Sequence, residues 1–370
     1  MKIKAPIKID RKTKNLAKRL SPGEIAVINH RDLDEVAADS LVEKKVKVVI
    51  NADLSISGKY PNKGPHLLCE KGVLIIDNVG SEIFGLLKDD DVLEIEDSRI
   101  YLDGKLIGEG DILDCKRVEE LMEVCHANLS QELDNFIDNT IEYAQREKSF
   151  ILDDMNIPKT DVDINGRHVL VVVRGQNYKE DLSTIISYIE EVKPVLIGVD
   201  GGADALLEYG YSPDIIVGDM DSVTDKSLKK CKEIIVHAYP DGRAPGLKRI
   251  EELGLKATVF PAIGTSEDIA MLIAYENGAE LIVALGTHTH IIDFLEKGRK
   301  GMSSTFLVRM KIGAKLIDAK GVSLLYRSRM KIKYVLGLMI AALFPVLIVA
   351  SISPQIQQIM RLIELRLKFL

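Results

Sequence analysis

The chain has 370 residues, 46% of them apolar and 28% charged, with a formal net charge of −7. That length suits two or three globular domains, and the acidic total argues against a nucleic-acid coat. Four cysteines (Cys69, Cys115, Cys125, Cys231) show neither CxxC nor paired spacing, so they read as free thiols of a reducing compartment with no zinc site.

Residues 1–22 are basic, but no apolar segment follows them, which excludes a secretory signal. They read as a solvated arm, or as one drawn to an anionic membrane surface. Residues 23–115 alternate strand-like and helix-like runs: EIAVINH, LDEVAADSLVEK and KVKVVINA, then GVLIIDNVG and a hairpin about Asp103-Gly104. This is the pattern of a small α/β domain. Asn29, His30, Ser57, Lys59, Tyr60 and Asn62 are polar loop residues there, able to line a pocket or a domain interface. Over residues 116–150 apolar side chains recur every three or four positions, from Val118 through Leu121, Cys125, Leu129, Leu133 and Phe136 to Ala144. That spacing predicts one long connecting helix, which could also pair with its copy in a homodimer.

Residues 160–326 repeat the β-rich runs HVLVVVR, PVLIGVD, DIIVGD, EIIVHA, KATVFPA and ELIVALG with helical segments between most of them. An open, largely parallel sheet is expected, and ligands of such sheets bind beyond the carboxyl ends of the strands. Residues 334–351 form a charge-free apolar run of roughly 18 residues, about 27 Å as a helix. Arg327, Arg329, Lys331 and Lys333 precede it. The run therefore reads as a single transmembrane helix in the cell membrane, with the bulk cytoplasmic. The tail, 352–370, would then lie outside, with Ile356, Met360, Ile363 and Leu367 at helical spacing.

The chemistry-bearing residues fall at the strand ends. Asp200 closes one strand, Asp219 the next, and Asp221 follows in Gly218-Asp219-Met220-Asp221-Ser222. Gly201 and Gly202 allow a sharp turn and a close backbone approach to a ligand. In an extended loop Asp-x-Asp points both carboxylates the same way, and clustered hard oxygens suit Mg²⁺ together with phosphate.

Asp200-Gly201-Gly202-Ala203, Pro213-Asp214 and Gly218–Ser222 resemble the DGGA, PD and GDxDS motifs of the thiamin pyrophosphokinase family. The resemblance implies that these acids hold Mg²⁺ and the nucleotide pyrophosphate. Farther on the sequence departs from the family. Where KDxTD is expected, Gly264 and Thr265 replace the lysine and first aspartate, Ser266 follows, and Asp268 stands for the last acid. Asp219, Asp221 and Asp268 are then the metal candidates, with Glu267 as a displaced substitute. GGRxDH is replaced by Gly286-Thr287-His288-Thr289-His290, and the chain has no tryptophan. A wider set of segments resembles the SteA-like proteins, bacterial relatives of the same fold: VVINADLSISGKYPNKGP, PDGRAPGLKRIEELG and FLEKGRKGMSSTFLVRMKIGAKLIDAKGVSLLYRSR. That resemblance implies membrane anchoring, a place at the septum in cytokinesis and daughter-cell separation, and a SteB-type membrane partner.

The fold class expected is therefore α/β: a small N-terminal α/β domain, a long helix, a thiamin pyrophosphokinase-like open sheet and a terminal transmembrane helix. Arg243, in a Gly/Pro-rich loop, is a candidate phosphate clamp. Lys297, Arg299 and Lys300 before Ser303, Ser304 and Thr305 make an anion-binding candidate at a helix start. Thr287, His288 and His290 read as polar pocket residues rather than zinc ligands. Two functions compete. One is a scaffold or sensor that binds a nucleotide or nucleotide-sugar; the other is a Mg²⁺-dependent pyrophosphokinase.

Overall fold

The computed structural model describes residues 2–148, 157–296, 298–325 and 332–368. The chain forms two compact units, Met1–Val322 and Ser323–Leu370.

The first unit contains two sheets. The N-terminal one has eight strands: β1 (Lys2–Ile9), β2 (Ile25–Ile28), β3 (Val48–Asn51), β4 (Leu74–Asp77), β5 (Val92–Glu96), β6 (Arg99–Leu102), β7 (Lys105–Glu109) and β8 (Asp111–Leu113), in the order β7-β6-β5-β1-β2-β3-β4-β8. Strands β1 to β4 run parallel, while β5 pairs antiparallel with β1 and β8 with β4. Helices α1 (Thr13–Arg19), α2 (Glu35–Glu43), α3 (Gly64–Glu70) and α4 (Ile83–Leu86) fall between strands. Helix α5 (Cys115–Glu147) follows, capped by the Asp114 carboxylate, which accepts from Arg117 N. Its residues Val118 and Cys125 are buried against one face of the N-terminal sheet. Farther along, the Phe136 ring lies 6.2 Å from that of Phe294 in the second sheet's domain.

Two expectations change here. Residues 1–22 are not a solvated arm but strand β1 and helix α1. The reason is period-two alternation: Ala5 and Ile7 are buried, while Lys2 and Lys4 point outward to ion pairs with Glu96 and Glu94 on β5. Nor are all four cysteines free. Cys69, in the last turn of α3, and Cys115, which opens α5, are disulfide-bonded with Cα atoms 5.6 Å apart. Their 46-residue separation carries no pairing signal, because packing of the two helices brings them together. Cys125 and Cys231 are free.

The second sheet has seven strands: β9 (His168–Val172), β10 (Val195–Val199), β11 (Ile215–Gly218), β12 (Glu233–Ala238), β13 (Thr258–Pro261), β14 (Leu281–Leu285) and β15 (Leu316–Asp318). The order is β13-β12-β11-β10-β9-β14-β15 and each neighbouring pair is parallel. Strands β9 to β12 and β14 are buried on both faces, which accounts for their continuous Val/Ile/Leu runs, whereas the edge strands β13 and β15 are partly exposed. Helices α6 (Tyr178–Thr184), α7 (Ile186–Val192), α8 (Gly202–Glu208), α9 (Asp225–Lys230), α10 (Pro245–Glu252), α11 (Ser266–Glu276), α12 (Ile291–Glu296) and α13 (Ser303–Ile312) connect or cover them. Strand order reverses between β9 and β14, and the topological switch point lies beyond their carboxyl ends. There Gly175 and Gly286 touch so closely that a Cβ on either would enter the backbone opposite.

Helix α14 (Val322–Leu325) spans the boundary between the units, and the second unit consists mainly of α15 (Ile332–Ile352) and α16 (Pro354–Lys368). The expected transmembrane helix over 334–351 is not found. Among the described residues no helix is long and apolar enough to cross a membrane. Pro345 lies inside α15, where it has no N–H to donate to the preceding turn. The single-pass location and the extracytoplasmic assignment of 352–370 fall with it. Arg327, Arg329 and Lys331, the basic flank on which orientation rested, lie outside the described residues, as do residues 149–150 of the expected long helix and Lys297.

Candidate functional site

Strand β11 delivers Gly218 and then the acidic turn. A Cβ at Gly218 would fall inside the Asp200 carboxylate, so only glycine admits that side chain from the end of β10. The turn is not extended. Met220 adopts φ 66°, its side chain is fully buried, and its N–H donates to Asp200 Oδ1 at 3.1 Å. Asp221 N–H folds back onto Asp219 Oδ1 at 2.9 Å. Arg249 fixes the loop from α10, donating to Met220 O at 2.6 Å and Val223 O at 2.9 Å. Met220 is thus the anchor, and the two acids diverge instead of sharing a direction.

Asp200 also has a left-handed backbone, φ 45°, of the kind that clusters at ligand sites. Burial, and next the neighbouring charge of Asp219, push its carboxyl up to about 7. Gly201 and Gly202 follow. A Cβ at Gly202 would collide with the Val172 carbonyl, so α8 starts tight against β9. Asp204 turns away and holds the next loop, accepting from Thr224 Oγ1 and from Ser227 Oγ.

These groups open on a cleft of about 900 Å³ at the switch point. Asp200, Gly201, Asp219, Ser222, Thr265, Ser266 and His288 all line it, as does Glu267. Glu267 is buried and accepts from His288 N at 3.0 Å and from its ring Nδ1 side at 3.1 Å.

Other candidates lie elsewhere. Asp221 turns to Lys12 of the N-terminal domain, with Nζ 3.2 Å from Oδ2. Asp268 is fully buried, and its Oδ2 accepts from Ser304 Oγ and Thr305 Oγ1, each at 2.8 Å. With Thr265 it forms the capping box of α11. Burial, and then the charge of Glu267, raise its pKa. The metal set Asp219, Asp221 and Asp268 is therefore not assembled, and among the described residues no group of three or more His, Cys, Asp or Glu is placed to hold a metal ion. Lys300, Ser303 and Ser304 line a separate cleft of about 200 Å³. Ser303 donates to Glu147 at 2.7 Å, so both serines are committed to carboxylates rather than to an anion. Thr287 is buried and accepts from Arg309 at 3.2 Å. Arg243 pairs with Asp241 in its own turn and lies over the Tyr239 ring. Two of the N-terminal polar loop residues are used internally: Asn62 donates to the Leu33 and Ser55 carbonyls, and Ser57 to Asp32.

Two sets of cleft residues escaped the sequence. Arg174, two residues beyond β9, lies against Gly201, and the strand-end rule that selects Asp200 would have found it. Lys14 and Lys18 of α1 line the opposite wall, and nothing in the sequence links them to the acids some 200 positions away.

The donor set suits Mg²⁺ in one form only. Burial, and next the charge of Asp219, raise the Asp200 carboxyl, and a divalent cation between the two acids would relieve their mutual repulsion. Mg²⁺ characteristically takes one or two carboxylates and completes its shell with phosphate and water. These two residues would hold it, and when bound it would neutralise diphosphate charge.

Residues 173–243 match the family described as thiamin pyrophosphokinase, catalytic domain, and residues 320–370 match the SteA-like C-terminal domain. The chain is 28% identical to the 6-hydroxymethyl-7,8-dihydropterin pyrophosphokinase of Pyrococcus furiosus, covering 31% of this chain and 63% of the relative. To its counterpart in Methanocaldococcus jannaschii it is also 28% identical, covering 33% and 59%. The chain thus spans about three fifths of the length of the curated relatives it matches. The solved thiamine pyrophosphokinase of Bacillus subtilis matches at 24% identity over 41% of this chain and 60% of that one, with a TM-score of 0.26. The resemblance read from the motifs stands: a thiamin pyrophosphokinase-like domain and a SteA-like C-terminal domain occur in one chain.

Proposed function

We propose that this chain, in which a thiamin pyrophosphokinase-like domain precedes a SteA-like C-terminal domain, is a cell-division protein that binds a phosphorylated ligand and acts as scaffold or sensor. The ligand is a nucleotide or nucleotide-sugar, with Mg²⁺ on its diphosphate. The carrying observation is the division of the acids: Asp200 and Asp219 face the cleft, whereas Asp268 is sealed beneath the hydroxyls of α13. A diphosphate with its cation needs the first pair. Phosphoryl transfer needs additional charge placed around the moving group, and Asp268 is not available for it. Gly201 and Gly202 bring backbone close to the phosphates, and Arg174 supplies positive charge beside them. The division role rests on the SteA-like match, whose resemblance also implies a SteB-type membrane protein as partner.

Calorimetric titration of the full chain with nucleotides and nucleotide-sugars, each with Mg²⁺, tests the reading. Saturable binding by one of them is expected; a folded protein that binds none of them would refute it.

A second reading, an active pyrophosphokinase, is favoured by the two archaeal relatives and by Glu267 and His288, a carboxylate–imidazole pair on the cleft wall. AMP release from ATP in the presence of thiamin or 6-hydroxymethyl-7,8-dihydropterin would support it, and its absence would remove it.

A further inference from the structure

From its own domain the cleft is lined by Arg174, Lys179, Lys226 and Arg299, and two of these are already engaged, Arg174 with Glu208 and Lys179 with Glu43. Gly264 stands where the resemblance expects a lysine, Arg243 is paired with Asp241, and Lys300 lines a different cleft. A diphosphate needs more positive charge than a cation shared with two carboxylates provides.

Further charge lies on the opposite wall. Helix α1 of the N-terminal domain places Lys14 and Lys18 on the same 900 Å³ cleft as Asp200, Gly201 and Asp219. Lys14 already engages the acidic turn: its Nζ donates to Ser222 Oγ at 2.8 Å, and its charge acts on Asp200. Lys12, one turn of chain earlier, reaches Asp221. The wall is held in place by two further contacts between the domains. Gln176 donates to Glu35 on α2 at 2.6 Å, and Lys179 pairs with Glu43 at 2.7 Å. Both come from the segment that follows β9, so the switch point itself carries the attachment.

We propose that α1 is the cationic half of the phosphate site, with Lys14 and Lys18 holding phosphate oxygens of a diphosphate-bearing ligand bound between the two domains. This rests on the cleft reading above. It makes the N-terminal domain part of the binding site rather than a neighbour, and occupancy draws the two domains onto one ligand.

The probe is inorganic pyrophosphate with Mg²⁺, titrated into the full chain. Wild type should bind it, and the pair Lys14→Gln and Lys18→Gln should weaken binding at least about tenfold. The pair Lys14→Arg and Lys18→Arg should restore most of the affinity, which a merely structural role would not require. Both lysines are exposed, so the fold should survive. An independent readout on the wild-type chain is protection of the Lys14 and Lys18 amines from acetylation by Mg²⁺-pyrophosphate. If wild type binds but the glutamine pair binds equally well, or if the amines stay unprotected, the role of α1 is overturned and the cleft reading survives. If wild type gives no saturable heat, the cleft reading fails and this inference with it.

Discussion

The parallel strands of the two sheets carry acids at their ends and use them oppositely. In the N-terminal sheet Asp77 closes β4, where it accepts from Ser55 N at 2.9 Å and Ser55 Oγ at 2.6 Å. Asn51 at the end of β3 bridges His30 O and Ser55 Oγ, each at 2.8 Å. Asp77 is answered by local donors, and both it and Asn51 are buried. In the second sheet Asp200 and Asp219 crowd one another, and the two turn glycines beside Asp200 bring no donor side chain. The cleft stays open there. Asp200 and Asp219 each accept one backbone N–H from their own turn, and unlike Asp77 both also line an open cleft.

The contrast can be broken by mutation. Asp77→Ala should be the most damaging change, costing about 3 kcal/mol because two buried donors lose their acceptor. Urea denaturation would show it, and affinity for Mg²⁺-pyrophosphate should not move. Asp219→Asn should do the reverse: affinity falls at least about tenfold, while stability stays within about 0.5 kcal/mol. If Asp219→Asn unfolds the protein, its role is structural and the contrast fails.

The pH response sharpens the comparison. Burial raises Asp77 to about 6, and burial with the Asp219 charge raises Asp200 to about 7. Both folded carboxyls hold their protons more tightly than an unfolded aspartate near about 4. Their contributions to stability are therefore complete below about pH 4 and lost as pH rises through the folded values. The urea midpoint should fall between about pH 4 and 7. Asp77→Asn should remove the component below about 6, and Mg²⁺ with pyrophosphate only the component ascribed to Asp200. Smallest of all, Arg243→Ala should change neither affinity nor stability measurably, since its ion pair is exposed and local.

Much of this was legible in the sequence. The runs ending at Asp200 and Asp219 gave both the parallel sheet and the crevice beyond it, because strands buried on two faces must be continuously apolar. The N-terminal strand was hidden because its lysines alternate with Ile3, Ala5 and Ile7, and charge density masked the period. The cationic wall was hidden for a different reason: Lys14 meets Ser222 only through the docking of two sheets, which no local spacing encodes. Asp268 misled because a capping box and a metal ligand use the same residue at the same helix start; its burial beneath Ser304 and Thr305 separates the two. The apolar terminal run misled by its lack of charge, which does not by itself give a helix the length and apolarity to cross a membrane.

The central claim is that the cleft holds a diphosphate without transferring it. The most direct measurement is to saturate the full chain with ATP and Mg²⁺, add each of the two acceptor alcohols in turn, and analyse the recovered nucleotide. The account predicts saturable binding with ATP recovered intact. Catalytic accumulation of AMP, abolished by Asp219→Asn, would contradict it.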